Sequence, residues 1–422
     1  MVCYLFGFTM LQQNKRSELI EDWRLLAFGT LASLASAPGQ TLVISLFNND
    51  IRAAFDLTHG DFGQLYMFGT LASAALILWT GKLIDQFDLR LVFAITTIGL
   101  ALACFVAGSA TGPFSLLIAL FLLRQFGQGL MSHISVTSVN RYYETVRGKA
   151  SAIVGQGFSF AEAVLPLSIS TLILIVGWRN SWFVLAAVSV GLILPLLLLL
   201  IADHKKRHGR YLDRLAILDE ASTGKSSDAQ RQWTRGEMLR DPVFYGVFMV
   251  VFVPSFFNTG LMFHHQHIVA AKEWSLETWY IFLMLYAGSA VVFSLISGQL
   301  VDRLGAKKLM PFFTLPIALG GLALFLGESS TWIGIVLVAF GAAAGMNGTV
   351  VSPFWAEMYG VKHLGSIKSL AAAVMIFASA LSPPAYGILF DANVSVATIG
   401  LGNVAFVVVA SLLAWFSLRS RR

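Results

Sequence analysis

The chain alternates long apolar runs with short polar breaks. It shows neither the two-residue alternation of a half-buried strand nor the narrow stripe of a helix lying on a soluble core. The runs fall at residues 24–47, 61–84, 91–110, 114–138, 149–175, 181–202, 242–265, 276–300, 310–327, 331–353, 367–390 and 399–418. Each is close to the roughly 20 residues that a helix needs to cross a hydrocarbon core about 30 Å thick. The pattern predicts an all-α polytopic membrane protein with twelve transmembrane helices. An even number of spans puts both termini on one side. A membrane barrel would need successive segments of alternating hydrophobicity, and the sequence has none.

Composition agrees with that pattern and narrows the function. Of 422 residues, 56% are hydrophobic and 12% charged, with a mean hydropathy of +0.72. Soluble domains are about a quarter charged, so this composition excludes a soluble enzyme, a nucleic-acid binder and a disulfide scaffold. The net charge of +6 and pI near 9.3 acquire meaning from where the cations lie. With the termini inside, 25 of the 29 Lys and Arg residues fall on inner segments, Arg124 lies within a span, and only Arg52, Arg179 and Lys272 lie outside. The positive-inside rule then places both termini in the cytoplasm, in the inner membrane if the cell is bacterial. The first 22 residues lack a basic leader and read as a cytoplasmic tail, not a signal peptide. Cys3 and Cys104 provide neither a disulfide framework nor a cysteine metal site.

The longest polar stretch, 203–241, reads as a cytoplasmic linker between a six-helix bundle at 23–202 and a second at 242–418, with a short tail at 419–422. Its basic start, His204 to His208, suits a solvated linker, and also contact with anionic lipid headgroups. The two halves are copies. Gly81 and Asp85 recur as Gly298 and Asp302, 217 residues later, and the same offset pairs Asp56-Leu57-Thr58 with Glu273-Trp274-Ser275, Tyr142 with Tyr359, Gly148 with Gly365, and Pro166 with Pro383. One offset at five places marks a tandem duplication of a six-helix unit with parallel orientation, the repeat type related by an axis along the membrane normal.

Specific motifs sharpen this. Gly298-Gln299-Leu300-Val301-Asp302-Arg303-Leu304-Gly305-Ala306-Lys307-Lys308 resembles the signature between the eighth and ninth helices of the major facilitator superfamily. The first copy keeps Gly81, Leu83, Asp85 and Arg90 but has Gln86 and Asp88 where Arg and Gly are usual. Leu120, Arg124, Gly127 and Gly129 resemble the fourth-helix motif of proton-coupled members, and Gly177-Trp178-Arg179 is similar to many members. The resemblance spans the chain from about residue 23. It implies two six-helix bundles that alternate access to a central site. It also implies that Gly81, Asp85, Arg90, Gly298, Asp302, Arg303 and Gly305 form a conformational latch. Physically, an aspartate set against a helix N-terminus is held by the positive end of the helix dipole, so Asp85 near the start of the eleventh helix and Asp302 near the start of the fifth would hold the inner side shut.

Charges inside spans are costly, roughly 2.5–3.5 kcal/mol or more at mid-bilayer, and mark function by default. Arg124 and Glu162 both fall near the midplane and are expected to pair, either as a proton-coupling device or as a structural salt bridge. Gln40, Gln128, Gln156, Asn258, Tyr286 and Asn347 are further substrate candidates, with His133 beside them. Pro38-Gly39-Gln40 and 254–260 interrupt the first and seventh spans at nearly matching places, a pointer to the binding region. His264, His265 and His267 lack a fourth ligand at sensible spacing and read as a hydrated helix end, not a metal site. Phosphate loops, nucleophile elbows and paired catalytic carboxylates are absent, so neither an enzyme nor a cofactor is expected.

Within the superfamily, 130–157, with Arg147, Gly148 and Ala150, and 238–245 look most like the monocarboxylate and oxalate/formate exchanger branch. That branch commonly carries a basic residue within the eighth or eleventh helix, which is missing here, so an anion would depend on Arg124. The expected function is secondary active transport of a small organic solute, a small organic acid foremost, of proton-coupled or exchange type. The expected partners are that solute, a coupling proton and the lipid bilayer, with no nucleic acid and a monomeric state. Efflux of a neutral or amphipathic metabolite is the alternative within transport, and a membrane-embedded sensor or lipid-acting enzyme the alternative outside it.

Overall fold

A computed structural model describes residues 22–81, 84, 87–143, 147–204, 207, 209, 233–360 and 363–420. Among these, every regular element is helical. Ten helices are long and apolar enough to cross a membrane: α2 (His59–Thr80), α3 (Leu89–Gly108), α4 (Pro113–Tyr142), α5 (Lys149–Val176), α6 (Trp178–Leu200), α7 (Pro242–Phe263), α8 (Leu276–Leu304), α10 (Trp332–Tyr359), α11 (Leu364–Asp391) and α12 (Val396–Arg419). They are preceded by a broken span, α1 (Trp23–Leu46), which bends by 68° into a short helix, Asn48–Phe55. The ninth apolar run forms the shorter α9 (Leu315–Leu326), with Pro316 in its first turn. The ten long helices, the broken first span and the shorter α9 stand at the twelve expected runs.

Polar residues at the ends of the runs set the boundaries. Asp88, Asp241, Ser275 and Ser395 each accept a hydrogen bond from the first turn of the helix that follows, starting α3, α7, α8 and α12. The duplication persists in backbone detail. Asp56 and Glu273, 217 residues apart, both adopt the left-handed conformation (φ 52° and 54°), and each is followed two residues on by a hydroxyl cap, Thr58 for α2 and Ser275 for α8.

Two compact units result, one comprising Met1–Val43, Ala72–Ala161 and Thr171–Ser226, the other Ile44–Leu71, Glu162–Ser170 and Ser227–Arg422. In the first, α3 packs on α6 and α4, and α1 on the second half of α4. In the second, α8 packs on α10, α9 on α12 and α7 on α11. The α3–α6 and α9–α12 contacts are repeat counterparts. The end of α1, the start of α2 and the middle of α5 belong to the second unit. Leu174, Ile175, Leu295, Phe114 and Phe416 stay exposed, as apolar side chains on a lipid-facing surface do.

Two expectations change. The seventh span is not interrupted: α7 runs helically through Pro254, since in a bilayer neighbouring helices re-satisfy the backbone that a proline frees. The histidines are not a hydrated end. His264 and His265 are buried: α7 ends at Phe263, a short helix, His265–Ala271, follows, and His264 lies against Tyr386 and Phe390 while His265 lies against Trp279 and Tyr280. His267 is half-buried, and burial followed by the charge of Arg52 holds its pKa below the usual imidazole value, with Asp391 acting in the opposite direction. Within α4, Arg124–Met131 is π-helical. Asp85, Cys3, the tail before residue 22, residues 421–422 and most of the linker (205–206, 208 and 210–232) lie outside the described residues.

Candidate functional site

The site in the first unit is made by two departures from regular helix. In α1, Pro38 closes a 3-10 turn, Ala37–Gly39, and Gln40 leaves it in an extended conformation (ψ 149°). In α4, the stretch Arg124–Met131 is π-helical, a local widening that often accompanies functional sites. The two meet closely: a Cβ on Gly39 would lie 2.2 Å from the Leu123 carbonyl oxygen and 2.7 Å from the Gln128 nitrogen. Only glycine permits that approach.

The first residue of the π-helical stretch is Arg124, 3% exposed. Its Nη1 donates to the Gly39 carbonyl at 3.2 Å and lies 3.5 Å from Thr41 Oγ1. Gln40 Nε2 lies 3.1 Å from Ser36 Oγ and 3.2 Å from Ser132 Oγ, tying the α1 break to the far end of the same π-helical stretch. Gln125, not singled out from sequence, is buried and bridges α4 to α2: Ser73 Oγ donates to its Oε1 at 3.1 Å, and its Nε2 donates to Thr80 Oγ1 at 2.9 Å. Gln128 is half-buried. Gln156 and His133 are exposed, and the Gln156 amide donates to Ala152 in its own helix.

The second unit brings together three more candidates. Glu162 of α5 is half-buried and acts electrostatically on Tyr286 of α8, whose buried hydroxyl is hydrogen-bonded by Asn258 of α7. Asn258 Oδ1, and Asn347 Oδ1 on α10, are buried acceptors without a hydrogen-bond partner among the described residues. Such atoms are expensive to leave unsatisfied. They are available to a solute or water donor.

The signature residues take definite places. Asp302 and Arg303 are exposed in the last turn of α8 and Gly298 is half-buried about one turn earlier. Gly305 ends α8 at φ 84°, a conformation that favours glycine. Beyond it Glu357, which sequence reasoning passed over, accepts from the backbone N–H groups of Ala306 and Lys307 at 2.9 and 3.0 Å. The repeat offered a signal: Glu357 is the counterpart of Asn140, which accepts from Ser151 Oγ at 2.7 Å. In the first copy, Arg90 caps the C-terminal carbonyls of α6, Ile201 at 3.1 Å and Ala202, while Arg24 reaches Leu199 and Asp203. Gly81 continues the last turn of α2, its N–H donating to Ile77 at 2.8 Å.

A duplicated six-helix membrane unit, with a broken first span and a buried arginine on the fourth, has the architecture of a polytopic membrane transporter. The family model of the Major Facilitator Superfamily matches residues 29–346 and again 266–422, and the chain belongs to that superfamily. It is 22% identical over 391 residues to the probable sulfoacetate transporter SauU of Cupriavidus necator (strain H16), covering 86% of this chain and 88% of that one. Two crystal structures of a bacterial homolog to the human lysosomal transporter Spinster share the fold. The inward-facing unoccupied form gives a TM-score of 0.64 at 15% identity, covering 94% of this chain and 97% of that one. The inward-facing occupied form gives 0.65 at 16%, covering 95% and 97%.

Proposed function

We propose that the protein is a proton-coupled secondary transporter of a small organic anion, with both termini in the cytoplasm, acting as a monomer in the inner membrane. The observation that carries this reading is the burial of Arg124 inside a span, held where α1 breaks and α4 widens. A buried cation in a bilayer is retained when something anionic uses it. The guanidinium fork, with its fixed N–H donors, matches a carboxylate or sulfonate. The relative's name, sulfoacetate transporter, describes a small anion bearing both groups, which supports the same substrate class here. Gln40, Gln128, Gln156, Asn258, Tyr286 and Asn347 are assigned as further solute-contacting residues. Glu162 carries the coupling proton: it is the acid within a span beside Tyr286 and Asn258, and neutralising it when substrate occupies the site balances the charge moved. The signature residues Gly81, Asp85, Arg90, Gly298, Asp302, Arg303 and Gly305 act as the latch on the cytoplasmic side.

Reconstituted protein should take up labelled sulfoacetate, acetate or oxalate and ignore a neutral analogue such as glycolamide. Arg124→Ala should lose anion uptake by at least tenfold, whereas Arg124→Lys, which keeps the charge but loses the fork, should fall between. Equal uptake of the anions by a folded Arg124→Ala protein would refute the assignment.

A further inference from the structure

The end of the second unit remote from the termini is built from segments of both halves of the duplicated chain. The bent tip of α1 meets the turn after α7 across repeat-related positions. Asn49 N–H donates to Gln266 Oε1 at 3.2 Å, an offset of 217, Gln266 Nε2 donates to the Leu46 carbonyl at 2.9 Å, and Asn48 Nδ2 to the Phe263 carbonyl at 3.0 Å. Beside this pair, α2 meets α11. There the symmetry fails, and the failure is informative.

A helix starts with four N–H groups that lack partners within it, and each must be satisfied elsewhere. At α2 all four can be followed. Phe62 N–H bonds the Thr58 carbonyl at 3.2 Å, and Asp61 N–H bonds Thr58 Oγ1 at 3.1 Å. The two remaining donors, His59 and Gly60, are taken by a residue 331–332 positions away: Asp391 accepts from His59 N–H through Oδ1 at 3.0 Å and from Gly60 N–H through Oδ2 at 2.7 Å. The approach needs bare backbone on both helices. A Cβ on Gly60 would stand 2.9 Å from Asp391 Oδ2, and one on Gly387 would stand 2.5 Å from the His59 carbonyl oxygen. The repeat counterpart of Asp391 is Leu174, exposed and without a carboxylate, although α2 and α8 share equivalent hydroxyl caps, Thr58 and Ser275. The carboxylate is an addition to one flank, not a relic of duplication.

We propose that Asp391 is a positioning residue of the transport cycle: a detachable cap that holds the termini-remote gate closed and is released each time that gate opens. Alternating access requires the first and second halves of a superfamily member to separate at this end, and α2 and α11 come from different halves. The exposure of Asp391 makes release cheap, because water takes over both the carboxylate and the two N–H groups. An exposed carboxylate at a helix N-terminus biases an equilibrium by about two- to fivefold, enough to favour one state without trapping it. The proposal concerns the gate alone and stands whatever the solute.

Spin labels on Ala53→Cys and Ala271→Cys, in protein carrying Cys3→Ser and Cys104→Ala, report the opening of this end as a distance distribution in nanodiscs. Asp391→Asn should raise the long-distance fraction by about two- to fivefold, the loss expected for that charge. Gly60→Ala, which displaces the carboxylate, should move the population the same way, and the two together no further than either alone. Asp391→Glu should restore most of the closed population. Thermal stability should hardly change in Asp391→Asn. Unchanged distances in both Asp391→Asn and Gly60→Ala overturn the proposal. So does a fall in stability without a shift in distance, or an Asp391→Glu protein as open as Asp391→Asn.

Discussion

Arg124 is held in part by its neighbours' backbones. Gly39 lets the α1 turn rest on α4, its carbonyl then accepts from the guanidinium, and the π-helical stretch beginning at Arg124 turns the side chain toward it. Gly39→Ala would force a methyl group against the Leu123 carbonyl, a backbone atom with little freedom to retreat. Overpacking of this kind costs about 1–3 kcal/mol. The expected result is a thermal midpoint lowered by several degrees together with weakened anion binding. Midpoint and affinity measured on one preparation check this, and an unaltered midpoint would show that the close approach is not needed.

At the scale of elements, α7 shows how a span is fixed at its cytoplasm-assigned end. Asp241 caps Val243 N–H at 3.2 Å and accepts from the Tyr359 hydroxyl at 2.9 Å, while Trp233 N–H donates to the Tyr359 carbonyl at 3.0 Å, so one carboxylate joins the linker's end, α7 and α10. Asp241→Ala removes a helix cap, worth about 0.5–2 kcal/mol, and leaves a buried tyrosine hydroxyl without its partner, about 1–3 kcal/mol more. Thermal unfolding should therefore show a clear loss, and Asp241→Asn, which keeps an acceptor, a smaller one. The spans themselves were legible in the sequence, since twenty-residue apolar runs leave a bilayer helix little alternative, and Pro113, Ser275 and Ser395 stand where their helices begin. The π-helical stretch in α4 was not. It differs from α-helix by one residue in a turn, and hydropathy does not register so small a change. The histidines misled for a related reason: imidazoles at the end of an apolar run look wet until Tyr386, Phe390, Trp279 and Tyr280 are seen to pack on His264 and His265. Asp391 reads as an ordinary polar residue at a span's end. Its partners, His59 and Gly60, are backbone groups, which no side-chain pattern announces.

At the scale of the whole molecule, duplication explains the fold, and the proposed chemistry rests on its exceptions. Paired features such as Asp56 with Glu273 and Thr58 with Ser275 maintain the scaffold. Arg124, Glu162 and Asp391 have no acidic or basic counterpart at the 217-residue offset: their partners are Gly341, Ser379 and Leu174. A permanent structural charge could be duplicated with the scaffold, whereas a single solute site and a single coupling proton need their groups once. The most direct test is uptake of the anion into proteoliposomes under an imposed pH gradient, comparing the unaltered protein with Glu162→Gln. The account predicts that the unaltered protein concentrates the anion when a gradient is applied. Glu162→Gln should bind it and exchange it across the membrane but gain nothing from the gradient. A folded Glu162→Gln protein that still concentrates the anion in response to the gradient would contradict it.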